Sequence, residues 1–88
     1  MLNLYKVSGN SMNPALNDGE YILSEKLSYL FTKPKVSDII IFKALGDKNL
    51  VKRIKSEKDN QYFVEGDNQG FSGLVDRKLI LEKLLFKI

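Results

Sequence analysis

The order of hydrophobic and polar residues along the chain predicts a protein built mainly of short β-strands. Apolar residues occur in short runs, rich in Ile, Val, Leu and aromatic residues, and clusters of Asn, Asp, Gly and Pro separate these runs. Strands are predicted at residues 4–7, 20–26, 38–43, 50–56 and 61–65, and turns at residues 13–14, 17–19, 44–49, 58–60 and 66–70. We expect the third and fourth strands to pair as a hairpin.

Two segments allow more than one interpretation. The apolar spacing of residues 79–88 would fit a helix. Residues 27–31, Leu-Ser-Tyr-Leu-Phe, form an apolar patch in a region expected to connect two strands. This patch is either a short helix packed on the core or an exposed rim that grips an extended substrate or touches a membrane surface, because exposed apolar patches often mark interaction sites.

Composition limits the class of protein. The chain has 88 residues, of which 43% are apolar and 28% charged, as is ordinary for one small globular domain covering residues 1–88. No apolar run approaches the roughly 20 residues that span a bilayer, and the first residues lack the pattern of a secretory signal. A cytoplasmic location is therefore expected. The net charge of +3 is small and mixed in sign, which argues against nucleic-acid binding.

The residue types that are missing restrict the possible chemistry. The chain contains no cysteine and no histidine. Thiol catalysis, a Ser-His-Asp triad and a Cys/His zinc site are therefore excluded. The carboxylates of Asp38, Glu65, Asp67 and Asp76 are scattered without the spacing of metal ligands. No metal and no cofactor is predicted.

Ser11 is the candidate nucleophile. It lies in the run Ser-Gly-Asn-Ser-Met-Asn-Pro at residues 8–14, shortly before a turn that contains proline. Without histidine, the base that activates a serine must be a lysine or a carboxylate, and serine–lysine pairs are a known variant of the catalytic triad.

Lys52 is the candidate base, because Val51 and Ile54 flank it in an apolar segment. A lysine with its ordinary pKa of about 10.4 is a poor base at neutral pH. Burial among apolar side chains disfavours the ammonium and lowers that pKa by up to about 3–5 units. The alternative is that Lys52 and Arg53 are solvated charges on one face of a strand, as most Lys and Arg residues are.

Four sequence boxes occur in an order that covers nearly the whole chain. They are residues 8–14, residues 35–42 (Lys-Val-Ser-Asp-Ile-Ile-Ile-Phe), residues 51–53 (Val-Lys-Arg) and residues 66–68 (Gly-Asp-Asn). Together they resemble the type I signal peptidase and LexA-type family of serine–lysine proteases. The resemblance implies a mainly β catalytic core of short, mostly antiparallel strands with little helix. It also implies a turn and a final strand near residues 84–88.

The resemblance also implies roles for individual residues. Ser11 corresponds to the family's nucleophile and Lys52 to its general base. Gly66, Asp67 and Asn68 correspond to the box that supports the site from behind. Ser72 is the best match to a later serine that hydrogen-bonds the lysine in relatives.

Three positions depart from the family pattern. Ala15 stands where relatives have Thr or Ser, and the final box is stretched, with Asp76 and Arg77 as the matches to its Asp and Arg. Gly9 stands where some relatives place a serine that helps to hold the oxyanion. We therefore expect the backbone amides of Asn10 and Ser11 to take that role.

We interpret the chain as an endopeptidase that removes a propeptide or signal-like segment, bound in extended form, from a protein substrate. The short chain without an anchor resembles the maturation proteases of nickel-type superoxide dismutase, whose substrate is the dismutase precursor. Two alternatives remain at this stage. One is a membrane-associated enzyme like signal peptidase I, with contact through residues 27–31, and the other is an inactive peptide-binding module of the same fold.

Overall fold

The computed structural model describes residues 2–68 and 72–88, and over these residues seven strands form one antiparallel sheet. The strands are β1 (Leu2–Lys6), β2 (Tyr21–Glu25), β3 (Ile39–Lys43), β4 (Asn49–Lys58), β5 (Gln61–Glu65), β6 (Ser72–Asp76) and β7 (Ile80–Lys87). One short helix, α1 (Ser28–Phe31), and two 3-10 turns, Leu45–Asp47 and Arg77–Leu79, complete the described elements. The prediction of a mainly β, mostly antiparallel fold with little helix is confirmed.

The sheet order places the last strand in the middle. The strands lie in the order β1-β2-β7-β3-β4-β5-β6, so β7 pairs with both β2 and β3. All six pairings are antiparallel. Because β7 joins the N-terminal hairpin to the β3–β6 meander, both halves of the sheet share one strand.

Two hydrophobic clusters stabilise the sheet. The first contains the fully buried side chains of Ile40, Ile54, Tyr62 and Val64. The second lies around the N-terminal half, and its buried members are Val7, Met12, Leu16, Ile22 and Ile41. Burying a side chain of this size stabilises a fold by about 1.5–3 kcal/mol. Since Met12 and Leu16 lie in the connection after β1, the second cluster anchors the chain segment that carries Ser11.

The helical interpretation of residues 79–88 is wrong, because these residues form the strand β7 over Ile80–Lys87. Ile80 and Glu82 are buried and alternate with the half-buried Leu81 and Lys83, which follows the two-residue period of a strand. The strand begins four residues earlier than the family resemblance implied. The strand β6 had no counterpart among the predicted elements.

The apolar patch at residues 27–31 is partly packed on the core and partly exposed. It forms the helix α1, and Tyr29 is buried in the first cluster, where its hydroxyl donates a 2.7 Å hydrogen bond to Asp38. Leu27, Leu30 and Phe31 remain exposed, with 52%, 72% and 81% of their surface accessible. Across residues 2–68 and 72–88, no helix has the length and apolarity that crossing a membrane would require.

Candidate active site

Ser11 lies on a tight turn after β1. The amide of Asn13 donates to the carbonyl oxygen of Asn10 at 3.2 Å, and the amide of Leu16 donates to that of Met12 at 2.9 Å. Gly9 has a backbone φ of +92°, which residues other than glycine rarely adopt. Its amide donates a hydrogen bond to Asp18 Oδ1 at 2.8 Å. The turn is therefore fixed from both sides, and Ser11 is carried by a backbone anchored in the core.

Lys52 lies in the middle of β4, opposite Ile40 of β3. Only 5% of its surface is exposed, although its side chain ends in an amine. That amine, Nζ, donates a 2.7 Å hydrogen bond to Ser11 Oγ. Burial lowers the pKa of Lys52 below its ordinary value, because the ammonium is disfavoured away from water. The structure thus brings the predicted nucleophile and the predicted base into direct contact across 41 positions of sequence.

The loop after β5 contacts the turn that carries Ser11. The amide of Asn68 donates to the carbonyl oxygen of Ser11 at 2.8 Å, and its side-chain Nδ2 donates to the carbonyl oxygen of Asn10 at 3.1 Å. Gly66 is buried at the start of this loop. The two bonds hold the carbonyl groups before and after the Cα atom of Ser11, so this loop fixes the position of Ser11.

Arg53 makes contacts near the site that the sequence did not predict. Its Nε and Nη2 atoms donate to the two carboxylate oxygens of Asp67, each at 2.8 Å, and its Nη1 donates to the carbonyl oxygen of Ser37 at 3.1 Å. The hydrogen bond from Arg53 holds the pKa of Asp67 below its ordinary value. The only sequence signal was the adjacency of Arg53 to Lys52, since the pairing with Asp67 depends on the fold.

A small cleft of about 130 Å³ opens beside the contact between Ser11 and Lys52. Its walls include the apolar side chains of Met12, Ile22, Ile41 and Val51. Residues of β1 and of the following turn, from Tyr5 to Gly9, form another side. A larger apolar groove of about 660 Å³ lies elsewhere, between the Leu45–Asp47 turn and β6, and neither Ser11 nor Lys52 lines it.

The remaining predicted site residues fall into two groups. Ser72 is exposed at the start of β6, opposite Glu65 and therefore at the same end of the β5–β6 hairpin as Gly66. Asp76 and Arg77 lie at the opposite end, because Asp76 pairs with Gln61. There Asp76 accepts from the amide of Lys78, and Arg77 donates to the carbonyl oxygen of Tyr29. The structure does not bring these two residues to the Ser11 turn.

The described residues contain no group of three or more acidic side chains that could hold a metal ion. The two groups that the structure brings together at the site are the hydroxyl of Ser11 and the buried amine of Lys52. This combination is the one that serine–lysine hydrolysis requires.

Comparison with known proteins identifies the family. The family model described as signal peptidase, peptidase S26, matches residues 1–57, which include both Ser11 and Lys52. The chain belongs to the signal peptidase S26 family. It is a member of a hydrolase family whose representatives cleave proteins.

Relatives of this signal peptidase family include plant and bacterial enzymes. The chain is 53% identical over 38 residues to thylakoidal processing peptidase 1, chloroplastic, of Arabidopsis thaliana, a match that covers 43% of the chain and 11% of the relative. It is 38% identical over 69 residues to signal peptidase I V of Bacillus subtilis (strain 168), covering 70% of the chain and 41% of the relative. The chain thus spans less than half the length of these relatives. No solved structure matches it.

Proposed function

We propose that this chain is a serine endopeptidase in which Ser11 is the nucleophile and Lys52 the general base. The observation that carries the proposal is the 2.7 Å contact between Ser11 Oγ and the Nζ atom of an almost fully buried lysine. An amine in that environment has a depressed pKa and a larger neutral fraction than a solvated lysine. A neutral amine at hydrogen-bond distance can take the proton that leaves a serine hydroxyl.

The reaction follows from these two groups. The neutral amine of Lys52 removes the proton from Ser11 as Oγ attacks the carbonyl carbon of a peptide bond. The Lys52 ammonium then protonates the leaving amine, the C–N bond breaks, and an ester on Ser11 remains. A water molecule attacks this ester while Lys52 takes its proton, and that proton returns to Ser11 Oγ as the acid product leaves.

The backbone amides of Asn10 and Ser11 are proposed to hold the negative charge that develops on the carbonyl oxygen. The two hydrogen bonds from Asn68 support the role of the Ser11 amide, because they hold the peptide unit that contains this amide and the peptide unit that follows it. A preformed donor of this kind contributes about 3–4 kcal/mol to lowering the barrier. Gly66, Asp67 and Asn68 are therefore positioning residues, and Ser72, at the same end of the β5–β6 hairpin, is the remaining candidate for support.

The proposed substrate is a propeptide or signal-like segment of another protein, bound in extended form along the cleft. The names of the relatives, a thylakoidal processing peptidase and a signal peptidase, support this class. The precursor of a nickel-type superoxide dismutase is a specific substrate within it, and a cytoplasmic location would accompany that substrate. A membrane-associated role is favoured by the exposed Leu30 and Phe31 beside the exposed Lys26 and Lys33.

Peptide cleavage by matched variants tests the proposal. The purified chain is incubated with a library of propeptide and signal-like peptides, and products are identified by mass spectrometry. Ser11→Ala and Lys52→Ala should each reduce turnover by about 10³-fold or more, because the two groups act as a unit. The controls are Ser56→Ala and Lys55→Ala, which remove the same functional groups from exposed positions of the same strand.

Retained turnover in either dyad variant, with a contaminating protease excluded, would end the serine–lysine proposal. Peptide binding by the wild-type chain without any cleavage would instead favour the inactive module. Circular dichroism and thermal melts on all four variants separate loss of chemistry from loss of fold.

A further inference from the structure

A buried carboxylate lies behind the wall of the cleft. Glu82, on the central strand β7, has only 6% of its surface exposed. Its Oε2 accepts a 2.7 Å hydrogen bond from the hydroxyl of Tyr5 on β1, and its Oε1 accepts one from the hydroxyl of Ser24 on β2. Glu82 therefore links three strands of the N-terminal half of the sheet through side chains alone.

The strand register connects this carboxylate to the cleft. Tyr5 lines the cleft and lies opposite Ile22, and Glu82 lies opposite Ile41. Ile22 and Ile41 are fully buried and also line the cleft. Tyr5 differs from Ile22 and Ile41, because it is only half-buried and belongs to β1, a strand at the edge of the sheet. Its ring packs against the second cluster, and the hydrogen bond from its hydroxyl to Glu82 adds a second restraint on its position.

The chemistry of the cluster suits a permanent anchor. Burial by itself would raise the pKa of Glu82, but hydrogen bonds from Ser24, Asn3 and Tyr5 outweigh it and leave that pKa below its ordinary value. Burial and the bond to Glu82 raise the pKa of Tyr5 to about 12. Glu82 is therefore an acceptor, and Tyr5 a donor, over the whole range in which the protein would work. A buried carboxylate is expensive to desolvate unless its oxygens are satisfied in this way.

We propose that Glu82 is a positioning residue that holds the Tyr5 ring as a rigid wall of the cleft, and that this wall excludes bulky side chains of an extended peptide. The proposal rests on the proposed function, since it concerns which peptides reach Ser11. We call the hydrogen bond between Tyr5 and Glu82 the tether. While it is formed, β1 cannot move away to make room for a large substrate side chain. Without it, Tyr5 can move outward and the cleft can widen.

The test compares peptides that differ only in one side chain before the scissile bond. Ala and Phe are placed in turn at each of the three positions preceding that bond, and the ratio of kcat/KM for the two peptides measures exclusion. Tyr5→Phe keeps the ring and loses the tether, so it should lower the ratio at one position by about 3-fold or more, mainly through a lower KM for the Phe peptide. Glu82→Leu and Ser24→Ala should act in the same direction.

A matched control is available in the first cluster. Tyr29→Phe removes another tyrosine hydroxyl that donates a 2.7 Å hydrogen bond to a carboxylate, that of Asp38, and Tyr29 does not line the cleft. It should lower thermal stability and leave the Ala/Phe ratio unchanged. Glu82→Gln should retain the ratio, because its amide oxygen can accept from Tyr5 while its NH₂ donates to Ser24.

A measurement of peptide binding without cleavage distinguishes a failure of this inference from a failure of the proposed function. In a Ser11→Ala background, dissociation constants for the same peptides are measured by fluorescence anisotropy, with and without Tyr5→Phe. A changed Ala/Phe ratio of dissociation constants supports the inference even if the wild-type chain cleaves nothing. An unchanged ratio in both arms, with Tyr5→Phe and Tyr29→Phe equally destabilised, shows that Glu82 is structural only and overturns the inference. A chain that binds no peptide overturns it as well.

Discussion

Arg53 and Asp67 form two hydrogen bonds, each 2.8 Å long, between a guanidinium and a carboxylate that are both partly buried. Arg53 follows Lys52 directly in β4, and Asp67 precedes Asn68, whose amide donates to the carbonyl oxygen of Ser11. The Arg53–Asp67 pair therefore links the strand that carries Lys52 to the loop that contacts Ser11. Ser11 in turn contacts Lys52 directly, so the three segments hold one another in place. Such a bidentate pair fixes geometry as well as adding stability.

Breaking this pair should affect both stability and turnover. Asp67→Ala removes the carboxylate that accepts two hydrogen bonds from Arg53, so we expect the free energy of unfolding to fall by about 1–3 kcal/mol. We also expect kcat to fall more than KM rises, because Asn68 then holds Ser11 less firmly. Urea unfolding and peptide kinetics measure the two effects. Glu57→Ala, at an exposed position of the same strand, is the control and should change neither.

The same pair predicts a pH dependence of stability. The bond from Arg53 lowers the pKa of Asp67 in the folded state, while the unfolded value is about 3.9. The stabilisation is therefore fully present above about pH 4 and is lost as the pH falls through the lower, folded value. The stability difference between wild type and Asp67→Asn should shrink below about pH 4. A constant difference down to acid unfolding would show that the pair adds no charge-dependent stability.

Turnover should rise with pH as Lys52 loses its proton. Burial lowers the pKa of Lys52 below its ordinary value, and the chain has no His or Cys to titrate near neutrality. The profile of kcat/KM should thus show one ascending limb with an apparent pKa clearly below about 10.4. A rate that stays flat from about pH 6 to about pH 10, with chemistry shown to be rate-limiting by single-turnover experiments, would argue against a lysine base.

Lys52 should also reduce the stability of the fold at neutral pH. Its folded pKa lies below its unfolded pKa, so the unfolded chain binds more protons between the two values and stability increases with pH in that window. Lys52→Met fills similar space without a charge and should stabilise the fold at pH 7 by about 0.5–2 kcal/mol while abolishing turnover. The difference in the free energy of unfolding between Lys52→Met and wild type should decrease toward about pH 10.5, where the lysine of the unfolded chain also becomes neutral. Lys55→Met, at an exposed position, should give no such gain.

The sequence predicted most strands because their turns are strong signals. The β5 strand was predicted with its observed bounds, and the Asp59–Asn60 turn, where both residues have positive φ, matches a two-residue hairpin. The strand β6 was missed because Ser72 and Gly73 break its apolar pattern. The C-terminal segment was ambiguous because five of its eight strand residues are apolar at spacings that a helix also allows.

For the candidate site, the sequence was informative mainly where missing residue types limit the chemistry. The absence of His and Cys left lysine or a carboxylate as the base for a serine, and the order of the boxes indicated Lys52. The partners of Arg53 and Glu82 were not predictable, because they depend on which strands pair and in which register. Asp76 and Arg77 matched the final box by residue type, yet the register of β6 places them at the far end of the hairpin.

The exposed side of α1 should bind anionic membranes weakly. Leu30 and Phe31 offer apolar area, and the exposed Lys26 and Lys33 carry positive charge beside them. Replacing both apolar residues with Ser should reduce sedimentation with phosphatidylglycerol-containing vesicles by about 5-fold or more, since each buried CH₂ contributes about 0.8 kcal/mol. Leu45→Ser is the control, because Leu45 is 96% exposed on a different turn. Equal binding by all three proteins would eliminate this surface as a membrane contact.

Cleavage should occur after small residues. Met12, Ile22 and Ile41 are almost fully buried, so these walls of the cleft cannot move aside, and Gly9 adds no side chain beside them. Ala15, four residues after Ser11, is not part of the lining. A pocket that fits a methyl group rejects larger groups by overlap, whereas one missing methylene changes the rate only by about 10- to 200-fold. We therefore expect cleavage after Ala, Gly or Ser and poor cleavage after Phe, Leu or Lys.

A peptide-library profile measures this preference, and a cavity variant tests its cause. Val51→Ala enlarges the cleft at a half-buried position and should raise the kcat/KM for peptides with Val or Thr before the scissile bond relative to Ala. Val64→Ala removes the same atoms from the first cluster, away from the cleft, and should destabilise the fold by about 1–3 kcal/mol without changing the profile. A wild-type profile dominated by large or charged residues would refute the small-residue preference and, with it, the proposed class of propeptide and signal-like substrates.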